Sequence, residues 1–305
     1  MAIVDSGETA EFRRRVFDWY ELHRRALPWR DVTDPYAVLV SEVMLQQTGV
    51  DRVILIYKEF LERFPTFGAL ADAPRREVLR AWAGLGYNRR AVHLHECAQV
   101  IVREHEGHLP DDAAMLRRLP GIGPYTTAAI LSFAFHRDVP TVDTNIRRVL
   151  GRITFGHPVG DRELAAVATR LVPAGRSSDW NQALMDFGSL QCVSVNPRCL
   201  ICPLLDLCAT VAQTDDTSAP PARRIAERAE QYLGSRRFYR GRIVACLRDL
   251  PAGASISPEE LLRTVKPDAT PAELPWIEEL GRVLVAEGLA EVHEDGRQAR
   301  FRAPA

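Results

Sequence analysis

Four cysteines about two thirds of the way along the chain constrain its fold more than any other feature. Cys192, Cys199, Cys202 and Cys208 lie in the run CVSVNPRCLICPLLDLC with the spacing C-x6-C-x2-C-x5-C. Four thiolates this close in sequence force a compact loop, and they match the need of an iron–sulfur cubane, in which each iron takes one soft anionic ligand. An all-cysteine zinc knot is the rival, although zinc sites usually pair two C-x2-C knuckles and only one occurs here. Four structural cysteines without a metal form the third reading. Cys97 and Cys246 fall outside the spacing and read as buried small hydrophobes.

The 305 residues, 46% of them hydrophobic, are enough to bury a sizeable core, and the length suggests about two domains. No apolar run approaches the roughly 18 residues that span a bilayer. The start, MAIVDSGETAEFRRR, lacks the apolar core of a signal peptide, so the expectation is a protein without membrane contact in a reducing cytoplasm, near the nucleoid if it binds DNA. A net charge of −1 gives no bulk argument for nucleic acid, yet seven arginines stand between Pro221 and Arg242 against Glu227 and Glu230. A local basic patch is sufficient for DNA.

From Thr9 to about Leu207 apolar residues recur at three- and four-residue intervals, which predicts an all-helical region. Helices are expected over 9–25, 36–47, 50–64, 75–84, 88–105, 112–118, 124–135, 143–153, 161–171 and 179–190, separated by Pro, Gly and Asp. The polar, proline-rich segment AQTDDTSAPPA (212–222) reads as a linker. Beyond it come a helix at 241–250, a capping box opening at Ser257, a helix near 276–287, and a hairpin of Leu289–Glu294 and Gln298–Arg302 around Asp295-Gly296. Three helices followed by a hairpin predict a small winged-helix-like module, a fold used for DNA and for protein contacts alike.

The run Leu119-Pro120-Gly121-Ile122-Gly123-Pro124-Tyr125-Thr126 joins two helices by a glycine turn at a helix start, where outward N–H groups and the helix dipole suit a phosphate. Together with an aspartate about twenty residues later in VPTVDTNIRRVL and the cysteine loop, it resembles the helix–hairpin–helix DNA glycosylase superfamily over roughly Thr9 to Cys208. Within it, SEVMLQQT (41–48), GLGYNRR (84–90) and NQALMDFG (181–188) are most similar to the MutY, or adenine DNA glycosylase, branch. The resemblance implies a mainly α fold: a six-helix barrel at 28–137 carrying the hairpin, and a 4Fe-4S cluster domain from 1–27 and 138–211, with duplex DNA gripped across the cleft between them. A basic linker at 212–240 and the winged-helix-like domain at 241–305 complete the expected layout. The cluster would be structural, with Arg198 presented to phosphates. A monomer bound to double-stranded DNA with a mismatched or damaged base is the expected working form.

Base removal needs an extruded nucleotide, a proton for the leaving base, and a carboxylate for the developing sugar cation. Glu42 sits in the apolar helix YAVLVSEVML, where desolvation would favour its protonated form; an exposed helix face is the alternative. Asp143 precedes TNIRR and reads as a helix N-cap, ionised and fixed in direction. The resemblance makes Glu42 the acid that protonates adenine and Asp143 the carboxylate that stabilises the cation, assisted by Asn145 and Tyr125. In the similar endonuclease III branch a lysine occupies the place of Tyr125 and forms a Schiff base that permits strand cleavage; a phenol cannot, which predicts a monofunctional enzyme. Arg30, Gln182 and Val50 match base-pocket positions, and together with Glu42 they favour adenine, with an interhelical polar contact as the alternative for Arg30 and Gln182. Gln47, Thr48, Leu85 and Tyr87 match residues that wedge into the duplex, while Gly121, Ile122 and Gly123 form the phosphate turn.

The match departs from the MutY pattern at Gly49, Asn88 and Thr144, and the tail is too short for the Nudix-like domain with which MutY proteins read 8-oxoguanine. Adenine opposite 8-oxoguanine or guanine is the expected substrate. A thymine or uracil mismatch glycosylase, and a non-catalytic DNA-binding or redox-sensing iron–sulfur protein, are the competing readings.

Overall fold

The computed structural model describes residues 6–213, 232–295 and 298–305, and the fold is mainly helical, as expected. The described residues fall into two compact units. One is drawn from Met1–Leu39, Pro110–Arg118 and Ile122–Ala222, the other from Val40–Leu109, Leu119–Gly121 and Arg223–Ala305. Most of the expected linker, and residues 296 and 297 of the expected hairpin turn, lie outside the described residues.

The first unit contains α1 (Ser6–His23), α7 (Ala113–Leu116), α8 (Pro124–Phe133), α9 (Thr144–Leu150), α10 (Asp161–Leu171), α11 (Ser177–Leu190) and α12 (Ala209–Gln213). Its core forms because α1, α9 and α11 each present an apolar stripe at helical spacing: Phe12 and Val16, Ile146 and Leu150, Trp180, Leu184 and Phe187 are all buried. Phe12 meets Trp180 edge to face at 5.5 Å and Trp19 meets Phe187 at 4.9 Å. α9 and α11 approach closely because Gly188 has no side chain; a Cβ there would lie 2.7 Å from the Cβ of Asn145. The helix expected over 143–153 ends as α at Leu150 and continues as a π turn, Gly151–Phe155.

The second unit holds α3 (Val50–Arg63), α4 (Phe67–Ala71), α5 (Arg75–Ala81) and α6 (Arg89–Glu104), and the residues around Glu42 in α2 (Pro35–Leu45). α3 buries Val53, Tyr57 and Phe60 at 3.6-residue spacing, and Phe60 packs on Trp82 at 6.0 Å between ring centres. The five-residue α4 was not expected, since it is too short to show a period; the Thr66 hydroxyl caps it, accepting the Ala69 N–H at 3.1 Å.

The same unit includes α13 (Arg236–Asp249), α14 (Pro258–Val265), α15 (Leu274–Ala286) and the antiparallel strands β1 (Glu291–Asp295) and β2 (Gln298–Arg302). The capping box at Ser257 is present in both directions. Phe301 is fully buried, and Gly281 makes room for it: a Cβ there would stand 2.5 Å from the ring. α13 begins five residues before the expected 241, because the Ser235 hydroxyl caps it on the Phe238 N–H at 3.2 Å. Its first turn is polar and arginine-rich, which made it resemble linker. No helix among the described residues is long and apolar enough to cross a membrane.

Candidate active site and cluster loop

In the first unit, Asp143 caps α9. One carboxylate oxygen accepts the Ile146 N–H at 2.7 Å and the other accepts the Asn145 side-chain amide at 2.8 Å. Burial pushes the Asp143 carboxyl above the ordinary aspartate range, and the donors at Ile146 and Asn145 pull against that rise. Asn145 in turn accepts from Arg148 Nη2 at 2.9 Å, and the same guanidinium donates to the Gly188 carbonyl at 2.6 Å and the Cys192 carbonyl at 2.8 Å. One chain of hydrogen bonds therefore runs from the carboxylate to the first cysteine. Tyr125 stands in the first turn of α8, directly after Gly123-Pro124, packed with Val38, Ala129 and Phe133.

Arg30 and Gln182 are both engaged in protein contacts. Asp186, fully buried, holds Arg30 at 2.8 Å and Arg25 at 2.6 Å. Arg30 also donates to the Tyr20 hydroxyl at 3.3 Å, which leaves its buried Nε without a partner. Gln182 accepts from Tyr20 at 3.2 Å, donates to Ser178 at 3.3 Å, and lines a cavity of about 350 Å³ with Asp31, Thr33, His136, Arg176 and Asp179.

The four cysteines are unpaired and partly buried. Burial pushes the Cys202 thiol up to about 11, with Cys192, Cys208 and Cys199 adding to the rise, so all four sulfurs share one neighbourhood. Among the described residues no three metal-ligating side chains are close enough together to hold a single metal ion. Two arginines fasten the loop. Arg152, in the π turn, donates to the Cys192 sulfur at 3.5 Å and the Val193 carbonyl at 2.7 Å, and Arg15 of α1 binds the Pro203 carbonyl at 2.9 Å and Asp206 at 2.5 Å. Gln191 clasps the segment between the first two cysteines through the Arg198 backbone at 3.1 Å and 2.5 Å, leaving the Arg198 side chain exposed.

In the second unit Glu42 is only 6% exposed, so the buried-helix reading holds over the exposed-face one. Residues 36–44 of α2 are all buried. The two segments expected to enter a duplex are joined by Arg90. Its guanidinium donates to the carbonyls of Val43 at 2.7 Å, Met44 at 2.9 Å, Gln46 at 2.5 Å and Gly86 at 3.1 Å, and to the Thr48 hydroxyl at 2.8 Å. It thus caps the open carbonyls at the end of α2 while gripping the loop after α5. Gln47 and Tyr87 both take left-handed backbone conformations, φ 55° and 47°. Leu85, expected to wedge into the duplex, is instead core at 2% exposure, whereas Tyr87, at 40%, presents its ring. Val50 is half-buried at the first position of α3. In the hairpin turn Gly121 has φ 75° and lies so near His93 that a Cβ would come within 2.8 Å, while the Ile122 side chain is buried and Gly123 caps α8.

Arg90, Arg148, Arg152, Arg15 and Asp186 were missed as supporting residues. The only signal was that Arg90 and Arg148 are the second members of arginine pairs, and sequence does not tell which member turns inward.

Residues 40–174 match the HhH-GPD superfamily of base excision DNA repair proteins. Adenine DNA glycosylase of Mycolicibacterium smegmatis is 40% identical over 288 residues, 93% of this chain and 94% of that protein. A thermostable thymine-DNA glycosylase superposes with TM-score 0.65 at 31% identity, covering 68% of this chain and 97% of the other. A non-covalent endonuclease III–DNA complex shares the fold, with TM-score 0.59 at 23% identity over 67% and 97%. The chain belongs to the adenine DNA glycosylase family of that superfamily.

Proposed function

We propose that this protein is a monofunctional DNA glycosylase of base excision repair that removes adenine mispaired with 8-oxoguanine or guanine. The observation that carries this reading is two carboxyls in contrasting surroundings: Glu42 buried in an apolar helix and Asp143, half-buried, held by two N–H donors. Glu42 delivers a proton to the leaving base, and the C1′–N9 bond breaks with its electron pair departing on adenine. Asp143 faces the positive charge that develops on the sugar, and water completes the abasic site. Asn145 orients Asp143. Tyr125, a phenol, offers no amine for a Schiff base, so the strand stays intact.

Arg30 and Gln182 would recognise the extruded base, Gln182 from the cavity it lines, where its amide can offer both a donor and an acceptor to a base edge, and Val50 would be an apolar base contact. Gln47, Thr48 and Tyr87 suit the wedge, with Leu85 beneath them as packing. Gly121, Ile122 and Gly123 offer backbone N–H groups to a phosphate. Cys192, Cys199, Cys202 and Cys208 would hold a 4Fe-4S cluster, whose sulfurs spread wider than those around one zinc; it would shape the loop that presents Arg198. The domain reading is a barrel at 28–137, a cluster domain at 1–27 and 138–211, a linker at 212–240 and a winged-helix-like module at 241–305, working as a cytoplasmic, nucleoid-associated monomer on duplex DNA.

The likeness to a thymine-DNA glycosylase favours a second reading, removal of thymine or uracil opposite guanine. Single-turnover base release on duplexes carrying A:8-oxoguanine, A:G, T:G and U:G, each with and without alkali, separates the two. Adenine release with breaks only after alkali, lost in Glu42→Gln, is expected. Thymine or uracil release would move the protein to the second reading, and full activity in Glu42→Gln would remove the acid assignment.

A further inference from the structure

The tail module is anchored on the barrel helix that precedes the wedge. Arg76 of α5 donates to the Leu250 carbonyl, Arg80 donates to the Arg248 carbonyl at 3.4 Å, and the Arg75 N–H reaches the Ala305 carbonyl at 3.0 Å. This seats α13 so that Arg237, in its first turn, lies over the Tyr87 ring with its guanidinium carbon 4.0 Å from the ring centre. Arg90 lies 5.5 Å from the same ring, and Tyr232, 44% exposed, lies 5.7 Å from the Arg237 guanidinium.

We propose that Arg237 is a specificity-determining residue: stacked on Tyr87, it fixes that ring and turns its guanidinium edge to the purine left unpaired when the opposite base is extruded. This rests on the glycosylase reading above and names a protein contact to the other strand. The chemistry favours it on three counts. A guanidinium face stacks on an aromatic ring while its in-plane N–H groups remain free to donate outward. Paired donors of this kind match the O6 and N7 acceptors of guanine, and O6 alone in 8-oxoguanine, whose N7 carries a hydrogen, whereas the cytosine edge offers a donor in that groove. Arg237 makes no ion pair among the described residues, unlike its neighbours Arg236 with Glu279 and Arg240 with Glu287. A left-handed backbone at Tyr87 holds the ring out on a short loop, and a stacked cation limits its rotation.

The test is binding of the full chain to duplexes in which a tetrahydrofuran abasic analogue replaces the extruded nucleotide, opposite guanine, 8-oxoguanine or cytosine. Arg237→Ala should weaken binding opposite guanine roughly five- to hundred-fold, the size of one bidentate arginine–base contact, weaken it less opposite 8-oxoguanine, which keeps only the O6 acceptor on that edge, and change binding opposite cytosine less than twofold. Arg237→Lys keeps the charge but not the planar face, and should stay near the alanine variant. Equal loss on all three duplexes, no loss on any, or full recovery with lysine would each overturn the proposal. These duplexes carry no base at the extruded position, so the result is independent of which base is released. A wild type that fails to release adenine would instead sink the glycosylase reading.

Discussion

Arg90→Ala is expected to loosen both candidate wedge segments at once. Four of its hydrogen bonds, to Val43, Met44, Gln46 and Thr48, are shorter than 3.0 Å, two tying the end of α2 and two the segment just after it to α6. At about 1 kcal/mol net for each bond the loss sums to about 4 kcal/mol, with the stacking on Trp82 at 5.3 Å lost in addition. Burial lowers the Arg90 pKa to about 10, so the clamp remains charged at neutral pH and the bonds stay charge-assisted. Urea unfolding at pH 7.5 measures the cost. Arg90→Lys should recover only a small part of it, because one ammonium cannot fork to carbonyls on both sides. Affinity for a duplex carrying an abasic analogue should fall tenfold or more in both variants, since Gln47, Thr48 and Tyr87 lose their common tether. A stability change below about 1 kcal/mol for alanine, or near-complete rescue by lysine, would refute the clamp.

Two further predictions concern the carboxylate and the tail. Burial raises the Asp143 pKa, so base release, which needs the ionised form, should lose rate as pH falls through a value above the ordinary aspartate range; Asn145→Ala, by removing a donor that opposes the rise, should move that acidic limb to still higher pH. For stability the sign is reversed: a raised folded-state pKa means the folded protein binds the proton more tightly. Its contribution therefore opposes folding at neutral pH and fades as pH falls, and Asp143→Asn, which keeps an N-cap, should abolish activity without lowering the neutral-pH unfolding midpoint. Gly281→Ala would drive a methyl into the Phe301 ring at 2.5 Å, and should cost about 2 kcal/mol in thermal unfolding, whereas alanine at the open Gly241 should cost only about what the helix position dictates or gain slightly.

Much of the helical layout was legible because α1, α3, α6, α10 and α11 carry apolar stripes long enough to show a period. Other features were legible because their chemistry is local: the capping box at Ser257 depends on residues three apart, and the cysteine loop on one short run. Illegible were the features decided by distant partners. Leu85 sits in a motif expected to enter the duplex, yet it is buried; the partner of Arg30 was illegible because Asp186 stands 156 residues away. The polar start of α13 imitates linker because its partners, Tyr87 and Glu279, stand elsewhere in the sequence.

The arginines show why composition was a weak guide to this site. Lysine and arginine together number 39 against 40 acids, so net charge is silent, yet guanidinium groups organise each functional segment. Arg148 connects Asp143's partner Asn145 to the cysteine loop, Arg152 and Arg15 hold that loop, and Arg90 holds the wedge segments. Each binds main-chain carbonyls, which carry no sequence signature and which only a forked, multiply donating group can gather from two segments at once. Their charges are therefore spent within the protein, and the arginines left for DNA are the exposed ones without acid partners among the described residues, Arg198 and Arg237 among them. A salt titration of DNA affinity should then give a slope reduced by about one in Arg198→Ala, whereas a slope unchanged in that variant would place the loop's charge away from phosphate.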